Sequence, residues 1–313
     1  MIEILEPTKN ELKILKNFKE CSWINIENPT EKEIKSISNL LKVKSEDYSD
    51  FREDVLSLED MEEIPMIDKL DDITFIITRT PQKRKSNNIK YYTVPLGILI
   101  TKKYIITISF VRNQIVEELK TKCTFNFKII LLTLKLMLIS SRVYLRYLKE
   151  IDKKINSIET KLEKAQKNKE IMQLLDLKKS LVYFNTSLKN DEILIERMSK
   201  TKLFTATEDY KDLIEDVIDE NKQAIEMTSI YSNIIKDTLD VFSSIISNNL
   251  NAVMKFLTSV TIIIALPTLI ASIYGMNVTL PFQNHIFAFS IVILISVTFS
   301  LIGVLILKKW KLF

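Results

Sequence analysis

The chain has 313 residues and a mass of 36.4 kDa, with Lys+Arg 44 against Asp+Glu 40 and a net charge of +4, a balance too mild to argue for nucleic acid as a partner. It contains only 3 glycines, Gly97, Gly275 and Gly303, where ordinary usage would give about 22, so neither the dinucleotide fingerprint nor a P-loop can be built. One histidine, His285, and two cysteines, Cys21 and Cys123, are too few for a Cys/His zinc cluster, and nothing places two carboxylates in a cleft, so an enzyme is not expected.

In chain order, residues 1–125 read as a mixed α/β domain. Period-two apolar runs predict strands at Trp23–Ile26, Ile73–Thr78, Tyr92–Ile100 and Tyr104–Phe110, broken by Pro81, by the polar stretch Gln82–Asn88 and by Thr101–Lys103. Thr30 and Glu33 have the spacing of a capping box that opens a helix through Leu41. From Cys123 the pattern becomes helical. No proline occurs between Pro95 and Pro267, and Leu145, Leu148, Ile151, Ile155, Ile158 and Leu162 recur at helical spacing. The segment Ala165–Lys169 interrupts this stripe before Ile171–Leu188 and predicts the turn of a helical hairpin. Residues 126–250 are thus expected to form a helical hairpin and a stalk helix. From Thr207 to Tyr274 only Pro267 interrupts the helical pattern, so about 68 residues can form one rod of roughly 100 Å. A periodic helix of that length suggests packing against copies of itself, with mechanical coupling or a passive stalk as its uses.

The charges then stop. Between Phe256 and Leu307 there is no Asp, Glu, Lys or Arg. Two apolar spans, 252–274 and 286–307, each have roughly the 20 residues a helix needs to cross a bilayer, so 251–313 reads as a two-helix membrane hairpin. Lys236 precedes the first span and Lys255 lies in its first turn, and Lys308, Lys309 and Lys311 follow the second, whereas the connection 275–285 has no Lys or Arg. Both termini are therefore expected in the cytoplasm of a protein of the cell (inner) membrane. The first residues, MIEILEPTKNELKILKNF, carry scattered charges and no apolar h-region, so no signal peptide is expected. Two unpaired cysteines suit that reducing compartment.

At about 100° per residue, Asn251, Met254, Thr261, Ala265, Thr268 and Ser272 share one side of the first span, with Phe256, Val260, Ile263 and Ile270 opposite. Leu257 and Thr258 lie on the two edges, and the angle does not choose between them. Small and hydroxyl-bearing residues on one face let membrane helices approach, so helix packing is one reading. A pore wall is the other, and it demands several identical chains around an axis. No ionisable group lies on this face, which argues against a proton relay. Neutral oxygens can hydrogen-bond the water shell of a cation without trapping it. Magnesium fits that chemistry because it dehydrates reluctantly. A divalent ion entering an inside-negative cell gains about 4.6 kcal/mol per 100 mV, so no ATP is needed.

At the outer end of this span stands Tyr274-Gly275-Met276-Asn277, within ASIYGMNV. The motif resembles the Gly-Met-Asn signature of the CorA-type magnesium transporter family, and Asn251–Asn277 is similar in register to that family's pore helix. The resemblance is close over the last 65 or so residues and looser over the whole architecture. It implies a funnel-shaped homopentameric channel with an α/β cytosolic domain, five long helices lining the pore, and no cofactor beyond the transported ion. Gly275, Met276 and Asn277 would form the outer mouth, with the Asn277 amide oxygen as a first selectivity ring and Gly275 giving the tight turn that presents it. Thr268, Ala265 and Thr261 would continue the pore. Leu257, chosen over Thr258 by the family, and Met254 would form an apolar constriction, with Asn251 at its cytosolic side. Relatives with this signature handle zinc, and cobalt or nickel can use the magnesium route, so the motif identifies the pore rather than the metal.

The resemblance also implies a regulatory divalent ion between neighbouring cytosolic domains, held by Asp216 with Asp212 and Asp219 on the same face; without it, that acidic run reads as a solvated face. The partner acid is expected near Pro81–Lys85, where this chain has Lys83, Arg84 and Lys85. A basic cluster facing Asp216 could substitute a salt bridge for the metal, and weak or absent magnesium gating is therefore expected. Two alternatives stand beside magnesium influx: zinc transport through the same scaffold, and a non-transporting oligomeric membrane tether. Identical subunits, divalent ions and membrane lipid are the expected partners.

Overall fold

Runs of β-branched and aromatic residues pair into a seven-stranded mixed sheet of order β2-β1-β3-β7-β6-β5-β4. The computed structural model describes residues 1–7, 12–15, 22–60, 63–70, 72–84, 90–122, 128–164, 168–278, 280–281 and 286–310, and the chain divides into two units, Met1–Lys236 and Asp237–Phe313. Cys21, Lys85, Cys123, residues 165–167, His285 and Lys311 lie outside the described residues.

In the first unit the strands are β1 (Ile2–Pro7), β2 (Leu12–Leu15), β3 (Ser22–Glu27), β4 (Met66–Leu70), β5 (Ile73–Lys83), β6 (Tyr91–Ile100) and β7 (Tyr104–Ser109). Neighbours are antiparallel except β3 and β7, which run parallel. Two helices, α1 (Glu31–Leu41) and α2 (Tyr48–Ser57), bridge β3 and β4 in sequence. The period-two alternation turns Ile24, Ile26, Phe75, Ile77, Leu99, Ile106 and Ile108 toward Ile34, Ile37, Phe51 and Val55 of these helices. At the alternate positions the Trp23 indole donates to Thr107 Oγ1 at 3.0 Å, and the Thr107 hydroxyl donates to Asn25 Oδ1 at 2.9 Å, so a buried polar row is satisfied. The capping box at α1 is formed: Glu33 N donates to Thr30 Oγ1 at 3.3 Å and Thr30 N donates to Glu33 Oε2 at 2.9 Å.

Contrary to expectation, Pro81 does not break a strand. β5 continues through it to Lys83, with Pro81 opposite Thr93 and Arg79 opposite Pro95. β4 pairs with β5 only as far as Ile77, and β7 pairs with β6 only from Gly97 onward. Beyond those points the two strands form a ribbon without a third strand among the described residues. The two prolines occupy positions of the same parity, where antiparallel geometry points the backbone N–H away from the partner strand, so no ladder bond is lost.

The remaining helices are α3 (Gln114–Lys122), α4 (Ile129–Lys164), α5 (Asn168–Ser199), α6 (Glu208–Tyr274) and α7 (Ala288–Lys309). The stripe Leu145 to Leu162 of α4 is buried, as are Leu174, Leu177, Leu181, Phe184 and Leu188 of α5. The Tyr144 and Phe184 rings meet edge to face at 5.0 Å. Asn168 and Lys169 belong to α5, so the hairpin turn is shorter than expected. α6 is continuous over 67 residues, Pro267 included.

A buried polar cluster fastens α4 and α5 to the β5–β6 ribbon. The Arg79 guanidinium donates to Thr93 Oγ1, Ser187 Oγ and the Glu63 carbonyl, while the Tyr144 hydroxyl donates to the Arg79 carbonyl at 2.8 Å. Asp191 of α5 accepts from the Thr78 hydroxyl and the Arg79 backbone N–H.

Candidate functional site

α6 and α7 are long and apolar enough to cross a membrane. Along the membrane part of α6, Ser259 is buried and Val260, Ile263, Leu266, Pro267, Ile270 and Tyr274 are half-buried. These residues fall within about a third of the helix circumference. A Cβ built on Gly303 of α7 would stand 2.8 Å from Leu266 Cδ1, so α7 meets α6 on this side at a spacing only glycine allows without a shift. Phe256, expected on the same side, is exposed.

The opposite third carries Asn251, Met254, Leu257, Thr261, Ala265, Thr268 and Ser272, and every one of them is exposed. Thr258 is exposed as well, so exposure does not separate it from Leu257. The Thr261 hydroxyl donates to the Leu257 carbonyl at 2.9 Å and the Thr268 hydroxyl to the Ile264 carbonyl at 2.9 Å. Each proton is therefore committed to the helix, and each Oγ1 faces outward as an acceptor. Metal-bound water presents its hydrogens outward, so acceptors are the groups that a hydrated cation can use. Sequence spacing located these threonines but could not give the direction of their hydroxyl protons.

α6 ends without a left-handed residue. Gly275 N donates to the carbonyls of Ala271 and Ser272 at 3.0 and 3.2 Å, and Met276 N donates to that of Ile273 at 3.2 Å. Gly275 does not have positive φ, and a Cβ there would meet Ala271 O at 3.4 Å, an ordinary contact. The expectation that the turn needs a glycine is thus corrected: the last helical turn tightens by i→i−3 bonding that any residue can adopt. Gly275, Met276 and Asn277 are exposed, and the Tyr274 hydroxyl reaches the Pro281 carbonyl at 3.4 Å.

In the first unit, Asp209, Asp212, Asp216 and Asp219 are exposed on α6. Among the described residues no three His, Cys, Asp or Glu side chains gather to hold a metal within one chain. Lys83 is already engaged, its ammonium 2.6 Å from Glu150 Oε2 on α4. Arg84 lies over the Tyr92 ring at 4.8 Å.

An α/β domain is thus joined to long helices, two of which are long and apolar enough to span a bilayer and one of which leaves a polar face exposed, the architecture of an integral membrane protein. The model of the CorA-like Mg2+ transporter protein family matches residues 18–309, and the chain belongs to that family. It is accordingly a divalent-cation transporter. The chain is 27% identical over 317 residues to the cobalt/magnesium transport protein CorA of Methanocaldococcus jannaschii, covering 98% of this chain and 95% of that protein. The complete structure of the CorA magnesium transporter from the same organism superposes with a TM-score of 0.82 at 25% identity, covering 98% of this chain and 96% of the other. Full-length CmaX shares the fold, with a TM-score of 0.73 at 15% identity over 98% of this chain and 97% of its own.

Proposed function

We propose that the chain assembles as a funnel-shaped homopentamer that conducts magnesium passively into the cell, driven by the membrane potential. The observation that carries this reading is the uncovered stripe Asn251–Thr268 on a helix whose other side meets α7. In lipid, a row of amide and hydroxyl groups needs polar company. Equivalent stripes of other copies, enclosing water, supply it.

In this assembly Gly275, Met276 and Asn277 form the outer selectivity filter, and Thr268, Ala265 and Thr261 hydrogen-bond the hydrated ion. Leu257 and Met254 form a constriction that gates by dewetting, and Asn251 marks its cytosolic side. Both termini lie in the cytoplasm, and the chain divides in function into 1–125, 126–250 and the membrane segment 251–313. Asp216, with Asp212 and Asp219, stands at the regulatory position, where weak or absent magnesium gating is proposed. The Methanocaldococcus relative is named for cobalt as well as magnesium, so cobalt is expected to share the route.

Ion flux into proteoliposomes tests the reading, with magnesium, cobalt and zinc compared for the intact chain and for Asn277→Ala. Magnesium entry that rises with an inside-negative potential and falls at least about tenfold in the variant is expected, corresponding to about 1.4 kcal/mol of lost ion stabilisation. Flux no greater than in protein-free vesicles would leave only a membrane tether, and zinc flux exceeding magnesium flux would replace the ion. Light scattering of the purified particle should give five chains.

A further inference from the structure

Three ammonium groups surround a cavity of about 210 Å³ between α4, α5 and the residue preceding β6. They belong to Lys90, Lys154 and Lys161, and among the described residues the single carboxylate in the wall is Asp176. Ser157 and Gln173 add neutral donors. None of the three lysines forms an ion pair among the described residues. Lys154 is the most enclosed: its ammonium donates to Tyr91 Oη at 2.7 Å and lies 4.3 Å from the centre of that ring. Glu150, one helical turn before Lys154, is already occupied, because it accepts from both Lys83 and the Tyr91 hydroxyl, at 2.6 and 2.9 Å. Burial, followed by the charges of Lys90 and Lys83, holds the Lys154 ammonium below the usual lysine range. Such a field is relieved by an anion. The neighbouring groove on α4 is better neutralised, since Arg142 pairs with Glu220 and Arg146 with Glu118.

We infer that this cavity binds a phosphate-bearing anion, with Lys154 and Lys161 contacting it from α4 and Lys90 from the strand side. Lys154 and Lys161 lie two helical turns apart, about 10 Å along the axis. That spacing suits several linked anionic groups better than one carboxylate, and lysine serves phosphate as a point charge. Bound there, the anion bridges α4 to the β6 end of the sheet. The inference is independent of which cation the membrane segment conducts.

The test uses the full-length protein in detergent, free of divalent ions, with inorganic tripolyphosphate as probe. Its thermal midpoint should rise saturably by several degrees, which sulfate at equal ionic strength should not reproduce, and the apparent affinity should fall at least tenfold in Lys154→Gln/Lys161→Gln. Lys90→Gln, an exposed change that leaves α4 intact, should weaken binding as well. A second measurement follows amine acylation of Lys154, which the anion should slow. Protection by soluble tripolyphosphate identifies a free phosphate ligand. Protection only in nanodiscs of anionic phospholipid, and not of neutral lipid, identifies a lipid headgroup. Absence of protection in both arms, or a midpoint shift unchanged in the double variant, overturns the site.

Discussion

The Thr78 hydroxyl donates to Asp191 Oδ1 at 2.9 Å, joining β5 to α5 across 113 positions of sequence. Asp191 is only 3% exposed, and burial pushes its carboxyl up to about 7 against the opposing pull of the Thr78 and Arg79 hydrogen bonds. In the unfolded chain the same group titrates near 3.9. The folded state therefore holds the proton more tightly, and the stabilisation from this group is complete below about pH 4, declines as pH rises, and is lost above about pH 7. A shift of about three units corresponds to roughly 4 kcal/mol at most. Asp191→Asn keeps an acceptor for Thr78 and removes the titration. The difference in unfolding free energy between variant and parent should move in the variant's favour from pH 4 to pH 8, as read by denaturant melts. A difference independent of pH would refute the assignment.

Gly97 is fixed by its neighbours. A Cβ there would stand 2.5 Å from Leu58 Cδ1 and 3.2 Å from Phe75 Cε2, and all three residues are packed where α2 meets the sheet. Gly97→Ala should cost about 1–3 kcal/mol through overpacking. Leu58→Val in the same chain should recover part of that loss, a coupling visible in a double-mutant cycle.

Thr268→Val preserves the shape of the side chain and deletes the outward acceptor, while Thr268→Ser retains it. If the stripe hydrogen-bonds the hydrated ion, the valine variant should conduct magnesium about fivefold less or lower still, equivalent to about 1 kcal/mol per lost bond. The serine variant should stay near the parent. Initial rates in proteoliposomes distinguish the two.

The occupied Lys83 sharpens the expectation for Asp216. With Lys83 held by Glu150, neither an acid nor a free lysine from that strand is offered to an approaching aspartate. Magnesium should protect α6 from limited proteolysis weakly or not at all, and equally in the parent and in Asp216→Ala. Strong protection that disappears in the variant would show a working divalent site.

Much of this architecture was legible because it rests on local signals. The charge-free interval revealed the two long apolar helices, Thr30 and Glu33 revealed the start of α1, and the stripe Leu145–Leu162 revealed α4. The strand ends were harder. Pro81 reads as a breaker by itself, and only the partners of β5 show that its N–H would have faced away from the ladder. The edge strands β2 and β4 are short and gave too few alternating residues to be recognised, and β1, which lies between β2 and β3, is interrupted by charge at Glu3 and Glu6. The Arg79–Asp191 cluster and the lysine-lined cavity unite residues from distant segments, and no spacing rule connects them. In the membrane segment, spacing found the polar face, but the shielding of the other face by α7 and the direction of the threonine protons required coordinates.

The β5–β6 ribbon has a bearing on the behaviour of the chain before it is fully assembled. Until α4 and α5 dock on it, a ribbon that extends past its sheet has two open edges, each a template onto which another chain could add a strand. Pro81 and Pro95 remove an outward donor from each edge, on opposite strands and two residues apart in register. Foreign strands therefore meet a gap in the hydrogen-bonding row whichever side they approach. The substitution Pro81→Val, although favourable for strand formation, should make the freshly synthesised protein more prone to aggregate.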